Sequence, residues 1–153
     1  MTGATRQLVF ELKHYPALDA EDFIASGNNA AAVELIDRWP DWPSHVIVVA
    51  GPEGAGKSHL ANVWRRRSDA IVVSAAGLDD KGAVAIGERR AGVIEDIDRG
   101  IGAEQTLFHL LNLASEHSCH VLLTGRSLPG DWPIALPDLR SRLRAAPLLA
   151  IEA

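Results

Sequence analysis

A chain of 153 residues is enough for one globular domain and too short for two ordinary ones. With 47% hydrophobic and 23% charged residues it can build a core, which excludes global disorder. A formal net charge of -5 argues against a protein that lives mainly on nucleic-acid phosphates.

The first segment, MTGATRQLVFELKHYP, lacks the continuous apolar stretch of a secretory signal. No run in the chain approaches membrane-spanning length, so a soluble cytoplasmic protein is expected. The alternation over 8–12 suits an edge strand. NAAAVELIDRW (29–39) contains no breaker and ends at Pro40, which predicts a helix followed by the proline-punctuated loop PDWPS. Four nearly continuous apolar runs then read as strands covered on both faces: VIVVA (46–50), AIVVS (70–74), GVIED (92–96) and HVLLT (120–124). A weaker fifth is APLLAIE (146–152). Between them, KSHLANVWRRR (57–67) and EQTLFHLLNLASEH (104–117) read as helices, the latter with Leu107, Leu110, Leu111 and Ala114 on one stripe. LPGDWPIALP (128–137) reads as a loop. Strands alternating with helices imply a parallel sheet wrapped by helices. Arg65, Arg66 and Arg67 suit the negative end of a helix. Cys119 is the single cysteine; its H-x-C-H setting fits no common zinc pattern, and a small core residue is expected.

The chemistry begins at Gly51-Pro52-Glu53-Gly54-Ala55-Gly56-Lys57-Ser58, a full match to G-x-x-x-x-G-K-[ST] between an apolar strand and a helix. Gly51, Gly54 and Gly56 let successive backbone N–H groups face one anion at the positive end of the helix. Lys57 reaches the β- and γ-phosphates in such a loop, and the Ser58 hydroxyl holds Mg²⁺. A second strand closes with Glu95 and Asp96, with Asp98 just beyond. A carboxylate there holds the metal's water shell and another can orient an attacking water, so Ser58, Glu95 and Asp96 are the expected Mg²⁺ set. Either carboxylate suits either role.

GKSHL, VIED, FHLLN and LPDLRSRL, in this order, resemble the AAA+ core of the bacterial replication initiator DnaA and its shortened regulatory relatives of the Hda type. The resemblance runs from about Gln7 to Ala153. It implies an α/β fold, a three-layer P-loop NTPase of AAA+ type with a five-stranded parallel sheet flanked by helices, binding ADP or ATP with Mg²⁺. His59 belongs to the GKSHL signature and is expected near the nucleotide. Phe23, Ile24 and Asn29 match the segment that packs on adenine. Thr124 matches the first sensor near the γ-phosphate. Arg142 matches the arginine finger, which acts in trans on a neighbouring subunit's ATP. In Hda-like proteins a short N-terminal peptide binds the sliding clamp, and Gln7, Leu8, Phe10 and Leu12 fit it. The implied organisation is a clamp-binding peptide over 1–15 and a nucleotide-binding core over 16–153, without the helical lid that would follow in the family.

Two further departures stand out. The family's Asp-Asp is here Glu95-Asp96, and an acidic position two beyond Thr124 is here Arg126. Both, with the missing lid, imply weak nucleotide binding and little hydrolysis of its own. The implied role is therefore regulation of replication initiation, with DnaA and the sliding clamp as partners and neither membrane nor sequence-specific DNA binding. A small P-loop phosphotransferase and an adaptor with a vestigial nucleotide site are the alternatives.

Overall fold

The computed structural model describes residues 30–151. The elements run in the order α1 (Ala30–Arg38), β1 (Val46–Ala50), α2 (Lys57–Ser68), β2 (Ile71–Ser74), α3 (Asp80–Arg89), β3 (Ala91–Glu95), α4 (Glu104–Glu116), β4 (His120–Gly125), α5 (Pro137–Ala145) and β5 (Leu148–Ala150). Single 3-10 turns follow β3 (Ile97–Arg99) and β4 (Pro129–Asp131). All five strands are parallel, in the order β2-β3-β4-β1-β5.

Alternate residues of β1 leave the sheet on opposite sides and so belong to two separate cores. Val46, Val48 and Ala50 pack with Ile86 of α3, Leu107 and Leu111 of α4, and Leu139 and Leu143 of α5. Ile47 and Val49 pack with Leu35 and Ile36 of α1 and with Leu60 and Trp64 of α2. The result is three layers, α3, α4 and α5 on one face and α1 and α2 on the other. Every residue of β1 is buried, as a strand covered twice requires.

The five expected strands all form. Two helices go beyond the sequence expectation. α3 carries Gly82 and Gly87 and buries only Ile86, so its periodic signal is weak. It is started by Asp79, whose side chain accepts the Gly82 N–H at 2.8 Å. α5 has Pro137 in its first turn and Leu139 and Leu143 one turn apart, both buried. The arginine triplet lies in the last turn of α2, where Arg67 donates to the Ile36 and Asp37 carbonyls and ties the ends of α2 and α1 together. Cys119 is buried, and burial pushes its thiol pKa up.

At the N-terminal edge of the sheet lies an aromatic cluster. The rings of His45 and His120 stack 4.8 Å apart, with Trp42 edge-on to His120 at 5.4 Å and Trp39 at 6.1 Å. Trp64 meets Trp42 at 5.1 Å and Trp39 at 6.0 Å.

Candidate functional site

β1 ends at Ala50, and the loop from Gly51 to Gly56 carries the chain into the N-terminus of α2. Gly54 and Gly56 have φ of 84° and 106°, conformations an L side chain resists, so the glycines permit the curl. Gly51 is constrained by space: a Cβ there would lie 2.5 Å from the Ile151 carbonyl oxygen. No side chain among the described residues caps the start of α2, which leaves its first-turn amides directed at the loop.

Lys57 is only 8% exposed. Its ammonium donates to the Gly51 carbonyl and to the Pro52 carbonyl at 3.0 Å, folding back across its own loop. Burial lowers its pKa; the carboxylates of Asp98, Asp96 and Glu53 oppose that shift, and Arg126 adds to it. A cavity of ≈ 410 Å³ opens over the loop, lined by Glu53, Gly54, Gly56, Lys57, Ser58, His59, Asp96 and Arg126.

The strand order explains how Asp96 reaches this cavity. β4 lies between β1 and β3, so its C-terminal end bridges the phosphate loop and the acidic end of β3. Thr124, buried near the end of β4, accepts the Asp96 backbone N–H on its Oγ1 at 3.2 Å. Asp96 itself takes a left-handed conformation with φ 60°, which turns the chain sharply out of β3. Glu95, one residue earlier, faces a different opening. It lines a neighbouring groove along α2 with Ser58, His59, Asn62 and Arg65. Burial, with Asp96 adding to it, raises the Glu95 pKa.

Beyond the strand ends, Asp98 and Arg126 form a tight pair. The Asp98 side chain is 8% exposed and accepts the Arg126 backbone N–H at 3.0 Å and its Nε–H at 2.9 Å. Burial is the largest effect on Asp98 and raises its pKa, but hydrogen bonds from Arg126 and from its own backbone N–H, with the Arg126 charge, together bring it below the usual carboxylate range. The same pairing raises the Arg126 pKa further.

Arg142 lies elsewhere. Its guanidinium sits over the Phe108 ring, 5.7 Å from the centroid, and it lines a cavity shared with Ser44, Val46, Ser141 and Ala146. Val46 opens β1, whereas the phosphate loop follows its last residue, so about 13 Å of strand separates the two ends.

Of the residues expected at the nucleotide, the structure therefore gathers Gly54, Gly56, Lys57, Ser58, His59 and Asp96 on one cavity. Gly51 and Thr124 stand behind it, and Glu95 shares Ser58 from the adjoining groove; Arg142, expected to act in trans, lines a different cavity. Phe23, Ile24 and Asn29, like Gln7, Leu8, Phe10 and Leu12, lie outside the described residues. Glu53 and Arg126 are cavity residues that the sequence did not nominate. Glu53 sits at a variable position of the loop motif; the charge change at Arg126 was the available signal.

The residues present fit a nucleotide polyphosphate with Mg²⁺: an uncapped helix start, a nearly buried lysine, and a hydroxyl and a carboxylate facing the same cavity. Among the described residues no group of three or more His, Cys, Asp and Glu could hold a metal alone. A P-loop metal site, with its hydroxyl and phosphate ligands, requires no such group.

No protein-family model matches the sequence, and no curated protein matches it either. Solved structures do. A DNA replication initiation factor superimposes with a TM-score of 0.71 at 20% identity, covering 86% of this chain and 48% of that one. AMPPCP-bound DnaA from Aquifex aeolicus gives 0.70 at 20% identity, over 92% and 49%. DnaI gives 0.65 at 12% identity, over 95% and 93%. The chain spans about half the length of the two initiator structures. It has the AAA+ fold of P-loop NTPases. Within that class, its fold is similar to that of the DnaA and DnaI structures. No helix among the described residues is long and apolar enough to cross a membrane.

Proposed function

We propose that the chain is a nucleotide-binding AAA+ regulator of replication initiation of the Hda type. It binds ADP or ATP in the cavity over Lys57, docks on the sliding clamp through Gln7 to Leu12, and promotes hydrolysis of ATP held by DnaA. The observation that carries this reading is the position of Arg142. A guanidinium resting on Phe108 at the far end of β1 is out of reach of the chain's own phosphates and free to meet another subunit's.

In its own site the loop amides and Lys57 bind the phosphates, and Ser58 and Asp96 would hold Mg²⁺, with Glu95 adjoining. The metal supplies charge neutralisation on the β- and γ-phosphate oxygens. Thr124 fixes the Asp96 backbone, which sets the carboxylate at the cavity wall. The placement of Glu95 along α2, away from the cavity over Lys57, favours slow hydrolysis in cis. The bound nucleotide then serves as a structural ligand. That same placement is what favours the adaptor as a second reading.

The test is ATP hydrolysis by DnaA in the presence of clamp loaded on DNA, with wild-type protein, Arg142→Ala and Gln7→Ala. Stimulation by wild type, lost in both variants, is the expected result. Equal stimulation by Arg142→Ala overturns the arginine-finger role. Nucleotide binding unaffected by Lys57→Ala would make the site vestigial and leave the adaptor reading.

A further inference from the structure

We propose that Arg126 is a cis ligand for the terminal phosphate of a bound nucleoside triphosphate, and so makes this site distinguish triphosphate from diphosphate. The proposal deepens the nucleotide reading above and rests on it. Three observations carry it. Arg126 lines the cavity that holds Lys57, Ser58 and Asp96, entering from the loop after β4. A Mg²⁺ held by Ser58 and Asp96 would neutralise charge on the β- and γ-phosphate oxygens, so the terminal phosphate would lie near Asp96. Arg126 lines the same cavity as Asp96.

The second observation is how the arginine is held. Asp98 takes the backbone N–H and the Nε–H of Arg126, which fixes the base of the guanidinium plane. Its two Nη groups have no hydrogen-bond partner among the described residues. A planar fork anchored through Nε and open at both Nη atoms suits a tetrahedral oxyanion better than a point charge does.

The third is charge. Glu53, Asp96 and Asp98 are near enough to influence both Lys57 and Arg126. One lysine among three carboxylates is a poor receptor for a highly charged triphosphate. With Arg126 the cavity lining has a second cation beside Lys57.

Affinities for ADP and for a β,γ-methylene ATP analogue, each with Mg²⁺, are measured by calorimetry on the full chain. The variants are Arg126→Ala, Arg126→Lys and Lys57→Ala, with thermal unfolding confirming that each is folded. One charge-assisted contact is worth about a ten- to hundredfold change in affinity. Arg126→Ala is expected to lose that much for the triphosphate analogue and less than about twofold for ADP. Arg126→Lys, with charge but no fork, is expected to fall between. Equal losses for both nucleotides, or no loss for either while Lys57→Ala weakens both, overturn the assignment while leaving the nucleotide site intact. If Lys57→Ala weakens neither, the nucleotide reading fails and this proposal fails with it.

Discussion

Acidification should weaken the aromatic end of the sheet by an amount that His120 sets. Burial, and secondarily the neighbouring His45, lowers the pKa of His120 from 6.5 to about 4. A histidine depressed in the folded state favours the neutral ring. Its contribution is whole above pH 6.5 and is lost as pH falls through the window from 6.5 toward 4. Between pH 7.5 and pH 5 the full effect is about 2 kcal/mol. The ring is half-buried, and solvent screening reduces this to about 1 kcal/mol. In urea that is a midpoint shift of roughly 0.5 M. Unfolding is followed by tryptophan fluorescence, since Trp39, Trp42 and Trp64 surround the ring pair or adjoin it. His120→Phe keeps an aromatic ring against Trp42 and removes the titration, while every carboxylate stays common to both proteins. Wild type should lose about 1 kcal/mol more than the variant over this pH range. Equal losses would refute the buried neutral imidazole.

Gly51→Ala forces a Cβ to 2.5 Å from the Ile151 carbonyl oxygen, and should cost about 1–3 kcal/mol in thermal unfolding; an unchanged melting temperature would show that the chain after β5 can yield. Leu111→Ala empties a fully buried position between α4 and the sheet and should cost about 2–5 kcal/mol by urea denaturation. Gly92→Ala places a Cβ 2.5 Å from Ile86 Cγ2, so the Ile86 side chain or its helix must shift; about 1–3 kcal/mol is expected, and in the Ile86→Ala background the added cost should largely vanish. Additive costs in that double variant would contradict the steric cause.

Much of the sheet was legible because strands covered on both faces are written in continuous Val, Ile and Leu, as in residues 46–50 and 120–124. α3 and α5 were not legible as helices. The glycines of α3 let it approach its neighbours closely: a Cβ at Gly87 would stand 3.2 Å from Leu113. The buried pair Leu139 and Leu143 is diluted by three arginines in α5. The phosphate loop is a local motif, so its residues could be nominated directly. Asp98 and Arg126 are paired by the adjacency of β3 and β4, a relation that exists only in three dimensions. The same applies to Glu95 and Asp96, consecutive in the chain yet lining two neighbouring cavities.

The strand order also has a meaning in time. β1, which carries the phosphate loop, hydrogen-bonds to neither of the two strands that follow it in the chain; its partners are β4 and β5. During synthesis at about 5–20 residues per second, β1 therefore waits roughly 5–20 s before its last partner exists. Until β4 emerges, β2 and β3, with α3 and α2 beside them, can pair while the wholly apolar β1 has both hydrogen-bonding edges open. The part of the molecule that is chemically most specific is thus the last to be enclosed, and a newborn chain is most exposed to aggregation at the segment that leads into its phosphate loop.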